Sequence, residues 1–272
     1  MREVPYESYL RTSRIPHIWC PGCGHGIALK AMVRAIDQLG WKHDEIAMVS
    51  GIGCSGRAPG YVDFNTLHTT HGRAIAFATG LKLANPSLKV IVVTGDGDGI
   101  AIGGNHLIHA ARRNLDINVV LFNNYIYGMT GGQVSPTTPL GCTATTAPFG
   151  NYEHPFNIAE LVAAAGGNFV ARGTVYQPVE LERLLVKAFE KKGFSFVEAM
   201  SPCPTAYGRR NKLKGPVAMM YDLKERSVPL AKARNLDEAE LEGKIVTGVL
   251  LDRDKEEYIE IYRKLTARMG GA

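Results

Sequence analysis

The sequence predicts an α/β protein built on a parallel sheet with helices on both faces. Three observations predict it. β-Branched runs such as Lys89-Val90-Ile91-Val92-Val93 have the look of strands buried on both sides. These runs alternate with segments of helical spacing, and right-handed crossovers turn that alternation into a parallel sheet. Glycine is 30 of 272 residues and collects between strand-like and helix-like segments, where backbone approaches a ligand closely.

The elements follow in order. Residues 26–39 carry apolar groups at Leu29, Met32, Val33, Ile36 and Leu39, the spacing of a helix. Glu45–Val49 reads as a short strand entering the turn Ser50-Gly51-Ile52-Gly53-Cys54. Residues 72–84 return to helix and stop at Asn85-Pro86. Strand Lys89–Val93 feeds the glycine-rich stretch Gly95–Gly104 and a helix ending near Asn114. A second buried strand, Ile117–Phe122, is followed by a loop reaching about Tyr152, too long for a plain connector. A helix near Asn157–Ala165, a strand near Asn168–Val170, a helix at Val179–Lys191 and a strand at Phe194–Glu198 complete the alternation. The expected division is an α/β domain over residues 1–204 and a C-terminal extension over 205–272. That extension is more polar, has one clear helix at Lys255–Arg268, and is expected to pack on the domain or on a partner subunit.

Composition narrows the function. The N-terminus lacks the basic-then-apolar pattern of an export signal, and no apolar run approaches the ~20 residues that span a membrane. Five cysteines, an odd number, then argue for reduced thiols or ligands and a cytoplasmic protein. The net charge of +5 is mild. Basic residues gather at Lys187-Lys191-Lys192 and Arg209-Arg210-Lys212-Lys214 without interleaved aromatics, so nucleic acid is not an expected partner. They are read as solvated charge or as steering for an acidic electron carrier.

Val93-Thr94-Gly95-Asp96-Gly97-Asp98 puts an acidic turn where a buried strand meets a helix. Ligands of parallel sheets sit at the carboxyl ends of strands, and the helix N-terminus offers free N–H groups to phosphate. An aspartate there makes sense if Asp96 holds Mg²⁺, which then bridges a diphosphate. Asn123-Asn124 ends the next strand and places a neutral oxygen ligand, Asn124, 28 residues after Asp96. A calcium loop fails, because its fifth and twelfth positions would be Ile100 and Leu107. A nicotinamide fingerprint is absent.

Cys20-Pro21-Gly22-Cys23 brings two thiols within reach of one centre, which alone fits zinc, thiol redox chemistry or an iron–sulfur cluster. Cys54 and Cys203 are single and lie at strand ends, as Asp96 and Asn124 do. Convergence of the four on one rim would make a four-cysteine [4Fe–4S] site. Cys142 is left as an ordinary thiol.

Several strings together resemble the β subunit of 2-oxoacid:ferredoxin oxidoreductases. They are Trp19-Cys20-Pro21-Gly22-Cys23-Gly24, Ser50-Gly51-Ile52-Gly53-Cys54-Ser55-Gly56 and His68-Thr69-Thr70-His71-Gly72-Arg73. They continue through Gly95–Asp98, Asn123-Asn124, Tyr127-Gly128-Met129-Thr130-Gly131-Gly132-Gln133 and Pro202-Cys203-Pro204-Thr205. Within the family the chain is most similar to the 2-oxoglutarate type. The resemblance implies the thiamine diphosphate-binding fold, with Mg²⁺ on Asp96, Asn124 and the carbonyl of Ile126. It implies a [4Fe–4S] cluster on Cys20, Cys23, Cys54 and Cys203. It further implies that Ile52, Gly53, Cys54, Ser55, Thr69, Thr70, His71, Gly97, Asp98, Gly128 and Met129 line the cofactor. In that family the glutamate that activates the aminopyrimidine ring belongs to a partner α subunit. The chain is thus expected to supply the diphosphate half of a shared site.

The reaction expected is oxidative decarboxylation of a 2-oxoacid, with coenzyme A as acyl acceptor and ferredoxin as electron acceptor. Cys54 would both hold iron and touch the cofactor. Arg57, on the same loop, could pair with the distal carboxylate of a dicarboxylic 2-oxoacid. His25 and His71 could assist proton transfer, with a scaffold role as the alternative. Pyruvate and branched-chain 2-oxoacids are alternative substrates. A non-oxidative thiamine enzyme subunit, or an iron–sulfur or zinc interaction module without catalysis, is the alternative of another class.

Overall fold

The computed structural model describes residues 3–269. Its centre is an eight-stranded sheet, assembled from strands β1 (Ile46–Ser50), β2 (Asn65–His68), β3 (Lys89–Gly95), β4 (Asn118–Asn123), β7 (Phe169–Thr174), β8 (Ser195–Met200), β9 (Ser227–Pro229) and β10 (Ile245–Asp252). Two short strands, β5 (Ile126–Tyr127) and β6 (Gln133–Val134), form a separate antiparallel pair in the long loop. The spatial order is β2-β1-β3-β4-β8-β7-β10-β9. Neighbours run parallel except β10, which lies antiparallel to β7.

Side-chain alternation along the strands explains the three layers. On β3, Ile91 and Val93 face one side while Val90 and Val92 face the other, and all four are fully buried. The Ile91 side is covered by helices His25–Leu39 and Pro178–Glu190. The Val90 side is covered by Ala74–Ala84, Gly104–Arg113 and Ile158–Ala165. Burial on both faces is why these strands read as unbroken apolar runs.

Register aligns the strand ends that matter. Gly95 pairs with Phe122, and Phe122 with Ala199, so β3, β4 and β8 stop at one level. The residues that follow them, Asp96, Asn124 and Cys203, therefore emerge on the same rim.

The C-terminal stretch differs from expectation in kind. Residues 205–269 carry two strands of the main sheet besides helices, among them Pro216–Arg226 and the expected one, observed at Tyr258–Met269. Asn114, in left-handed conformation at the end of helix Gly104–Arg113, donates its amide to the carbonyls of Lys255 and Glu256. That contact ties the last helix to the domain.

Candidate active site

A cleft opens at the carboxyl ends of β1, β3 and β4, lined among others by Ile52–Ser55, His71, Gly95–Asp98, Asn124 and Ile126–Thr130. Asp96 sits at its base, where β3 gives way to a wide turn at Gly97–Ile102 that continues into helix Gly104–Arg113. Its carboxylate is buried, and Oδ2 accepts hydrogen bonds from Ser135 (2.6 Å) and Thr137 (2.8 Å). Burial raises its pKa to about 6, even though these hydroxyls favour the charged form. Both hydroxyls bind Oδ2, and backbone N–H groups of Asp96 and Gly97 also favour the charged form. Asn124 lies just past β4, its side-chain oxygen bonded at 3.3 Å to the N–H of Ile126.

Asp98 lines the cleft and also holds its walls together. Its carboxylate accepts the backbone N–H of Ile52 (3.1 Å), the N–H of Gly72 (2.7 Å) and the hydroxyl of Thr94 (2.6 Å). Nδ1 of His71 stands 2.7 Å from Oδ1 without hydrogen-bond alignment. Asp98 thereby joins the cysteine loop, the His71 loop and β3. Gly51 has to be glycine here, because a Cβ would lie 2.1 Å from Asp98 Oδ2.

The cleft does not take in every expected residue. The Thr69 hydroxyl is turned to the carbonyls of Ser50 and Thr70, and neither Thr69 nor Thr70 is among the lining residues. Arg57 is exposed at the mouth, its guanidinium 4.0 Å from Met129 Sδ. His25 does line the cleft but is buried, with Nδ1 3.1 Å from Ser201 Oγ and its ring tilted against Phe122. Burial lowers its pKa to about 4, so the ring is neutral and acts as scaffold.

Beside the cleft the four expected cysteines converge. A Cβ on Gly128 would lie 3.4 Å from Cys203 Sγ and 3.6 Å from Cys54 Sγ. Burial raises the pKa of Cys23 to about 12 and that of Cys54 to about 11, with added repulsion from the neighbouring thiols in the set. Backbone N–H groups aim at two of the sulfurs: His25 toward Cys23, and Tyr207 and Ala206 toward Cys203. These donors lower the thiol pKa values in opposition to burial, the arrangement a thiolate needs. Among the described residues, no three His, Cys, Asp or Glu side chains stand close enough to hold one metal ion. The Trp19 indole donates to the Cys54 carbonyl at 2.7 Å and fixes that loop. Cys142 stands apart, 3.2 Å from the Tyr207 hydroxyl.

Sequence reasoning missed Ser135, Thr137 and Tyr127. Ser135 and Thr137 support Asp96 from 39 and 41 residues away, a distance no local motif spans. Tyr127 donates to the Gly97 carbonyl at 2.8 Å, and its ring fills the space a Cβ on Gly97 would need.

Residues 51–199 match the thiamine pyrophosphate enzyme, C-terminal TPP binding domain family. The chain is 54% identical over 271 residues to a 2-oxoglutarate synthase subunit KorB of Methanothermobacter marburgensis, covering 99% of this chain and 95% of the relative. It is 52% identical over 265 residues to the KorB subunit of Methanocaldococcus jannaschii, covering 97% and 98%. Among solved structures it matches a 2-oxoglutarate:ferredoxin oxidoreductase from Magnetococcus marinus, with 2-oxoglutarate, coenzyme A and succinyl-CoA bound. That match has a TM-score of 0.87 and 35% identity, covering 100% of this chain and 92% of the other. On its cleft, its sheet and these relatives, the chain belongs to the KorB family of 2-oxoglutarate synthase subunits.

Proposed function

We propose that this chain is the β subunit of a 2-oxoglutarate:ferredoxin oxidoreductase, which converts 2-oxoglutarate and coenzyme A to succinyl-CoA and CO₂. The observation that carries the reading is that Cys54 lines the same cleft as Asp96 and Asn124. One wall thus serves both the electron carrier and the diphosphate.

The residues present fit the implied groups. The Asp96 carboxylate, the Asn124 side chain and the Ile126 carbonyl are hard oxygen donors suited to Mg²⁺. Gly53, at φ +115° with no neighbouring atom within 4 Å of a Cβ, leaves open space on the cleft wall. Four grouped thiols aided by backbone N–H donors suit a [4Fe–4S] cluster on Cys20, Cys23, Cys54 and Cys203. When bound, thiamine diphosphate supplies the electron sink for decarboxylation and the cluster supplies single-electron transfer.

The chain's own residues position these groups. Asp98 fixes the Ile52–Ser55 loop and the His71 loop against β3, so the two cofactor walls move as one body. Gly128 and Met129 border the cleft beside the sulfurs. His71 holds or releases a proton at Nε2 while Asp98 faces Nδ1. Arg57, at the mouth, holds the distal carboxylate of a dicarboxylic substrate. Residues 1–204 carry the chemistry and 205–272 buttress them. An α subunit completes the pyrimidine side, and ferredoxin takes the electrons, in the reducing cytoplasm that such thiols require. Among the described residues, no helix is long and apolar enough to cross a membrane.

The test is coenzyme A-dependent reduction of a viologen dye by the anaerobically purified complex of this chain with its α subunit. Reduction with 2-oxoglutarate alone supports both the reaction and the Arg57 anchor. Reduction with pyruvate or a branched-chain acid discards the anchor. Iron- and thiamine-loaded protein inert toward all of them overturns the reaction.

A further inference from the structure

We propose that the surface over the cysteine set is the docking face for a small acidic one-electron carrier protein, with the stretch from Arg209 to Val217 as its chief contact. The inference rests on the reading of the four cysteines as cluster ligands. It adds the face of this chain at which the electrons leave.

Exposure points to one exit. Cys20 is the exposed member of the four, while Cys23, Cys54 and Cys203 are half-buried. Electron transfer falls off steeply with distance, so a protein carrier has to reach the Cys20 corner.

The loops around the thiols are mainly basic, and Asp222, which lines a pocket with Cys203, is paired with Arg226. Residues 8–36, 46–62, 117–152 and 199–221 supply the thiols and the loops packed on them, and they contain no aspartate or glutamate. They do contain Arg14, Arg57, Arg209, Arg210, Lys212 and Lys214. The stretch 209–217 is held against the cysteines at three points. Gly208 donates its N–H to the Cys203 carbonyl at 2.9 Å. Arg210 donates to the Gly131 carbonyl at 3.2 Å. Pro216 lies on Gly22, where a Cβ would come within 2.3 Å of the proline ring.

Its charges are also free to act outward. Among the described residues, Arg209, Lys212 and Lys214 make no ion pair. In the other basic group two of the three lysines are engaged internally: Lys191 pairs with Asp252 and Asp254, and Lys192 with Asp116. Ile18 and Val217, each 70% exposed, add apolar surface on the two stretches that meet where Pro216 lies on Gly22. A small surface that combines apolar side chains with basic charge suits a transient redox encounter, in which the charge mainly sets the association rate.

Each oxidation of a 2-oxoacid with coenzyme A releases CO₂, one proton and two electrons. Two carrier molecules therefore dock in succession, and each is reduced by one electron.

The test uses the complete anaerobic complex carrying Arg209→Glu and Lys214→Glu together, with Lys214→Gln alone as the milder variant. The expected result at low ionic strength is a rise of about tenfold or more in KM for an acidic ferredoxin, with weaker binding to the immobilised carrier. The milder variant should show a smaller rise, and methyl viologen turnover and iron content should not change. An unchanged carrier KM and unchanged binding, with viologen turnover intact, would overturn the docking face. That result would also indicate that another subunit covers it. A wild-type complex without iron would instead overturn the cluster reading beneath it.

Discussion

The carboxylate of Asp98 accepts the backbone N–H of Ile52 at 3.1 Å, which ties the acidic turn to the loop that carries Cys54. Two features that stand 44 residues apart in the sequence, Cys54 and Asp98, are thus parts of one rigid wall. Replacing Asp98 with Asn turns one acceptor into an amide N–H that faces protein donors. Leaving buried donors unmatched costs roughly 1–3 kcal/mol each. Asp98→Asn is expected to weaken thiamine diphosphate binding at least about tenfold, while iron stays bound through the intact cysteines. Calorimetric titration with the cofactor, alongside iron analysis, checks this, and undiminished affinity would show that Asp98 is dispensable.

Gly51 gives a steric version of the same test. A Cβ there would lie 2.1 and 2.4 Å from the two Asp98 oxygens, which are buried and cannot swing away. Gly51→Ala is expected to cost about 1–3 kcal/mol by overpacking. Thermal unfolding should show a lower Tm for Gly51→Ala, whereas Gly60→Ala, where a Cβ meets nothing within 4 Å, should change it little. Equal Tm values for the two variants would contradict the geometry.

Cation binding should depend on pH. With burial lifting Asp96 to about 6, the carboxylate is largely ionised at pH 7 and largely protonated at pH 5. A cation competes with that proton, so affinity falls as pH drops through 6, by about tenfold between pH 7 and pH 5. Binding of Mn²⁺ alone, followed by its electron paramagnetic resonance, avoids the titration of the diphosphate. A flat profile over that range would remove Asp96 from the cation site.

The cysteines divide by position. Cys203→Ser is expected to lower iron content and abolish carrier reduction. Cys142→Ser, which disturbs a contact with Tyr207 outside the set, should leave both unchanged. Iron and acid-labile sulfide analysis separates the two outcomes, and iron retained in Cys203→Ser would remove Cys203 from the ligand set.

Much of the core was legible because β3, β4, β7 and β8 lie inside three layers and so display unbroken apolar character. β2 was not, since Asn-Thr-Leu-His at residues 65–68 is a half-exposed edge with neither alternation nor an apolar run. β10 was hidden for another reason. Gly248 and a register shift between Val249 and Leu251 break its pattern, and most of it is only partly buried. In the site, the acidic turn, the asparagine pair and the four thiols could be read locally. Ser135, Thr137 and the bridging role of Asp98 depend on loops folding back, so no spacing rule announces them. Thr69 shows the limit from the other side: it belongs to a recognisable string, yet its hydroxyl serves the backbone of β1.

The antiparallel pairing of β10 with β7 bears on how the chain matures during synthesis. β7 is complete by residue 174, but its neighbour spans 245–252 and leaves the ribosome some seventy residues later. Until then the β7 edge shows unpaired N–H and C=O groups to any strand nearby. The β7 edge is therefore closed only once residues 245–252 have emerged, and a nascent chain halted near residue 204 would carry an adhesive edge. Premature termination in this gene should give insoluble product in place of a smaller working protein.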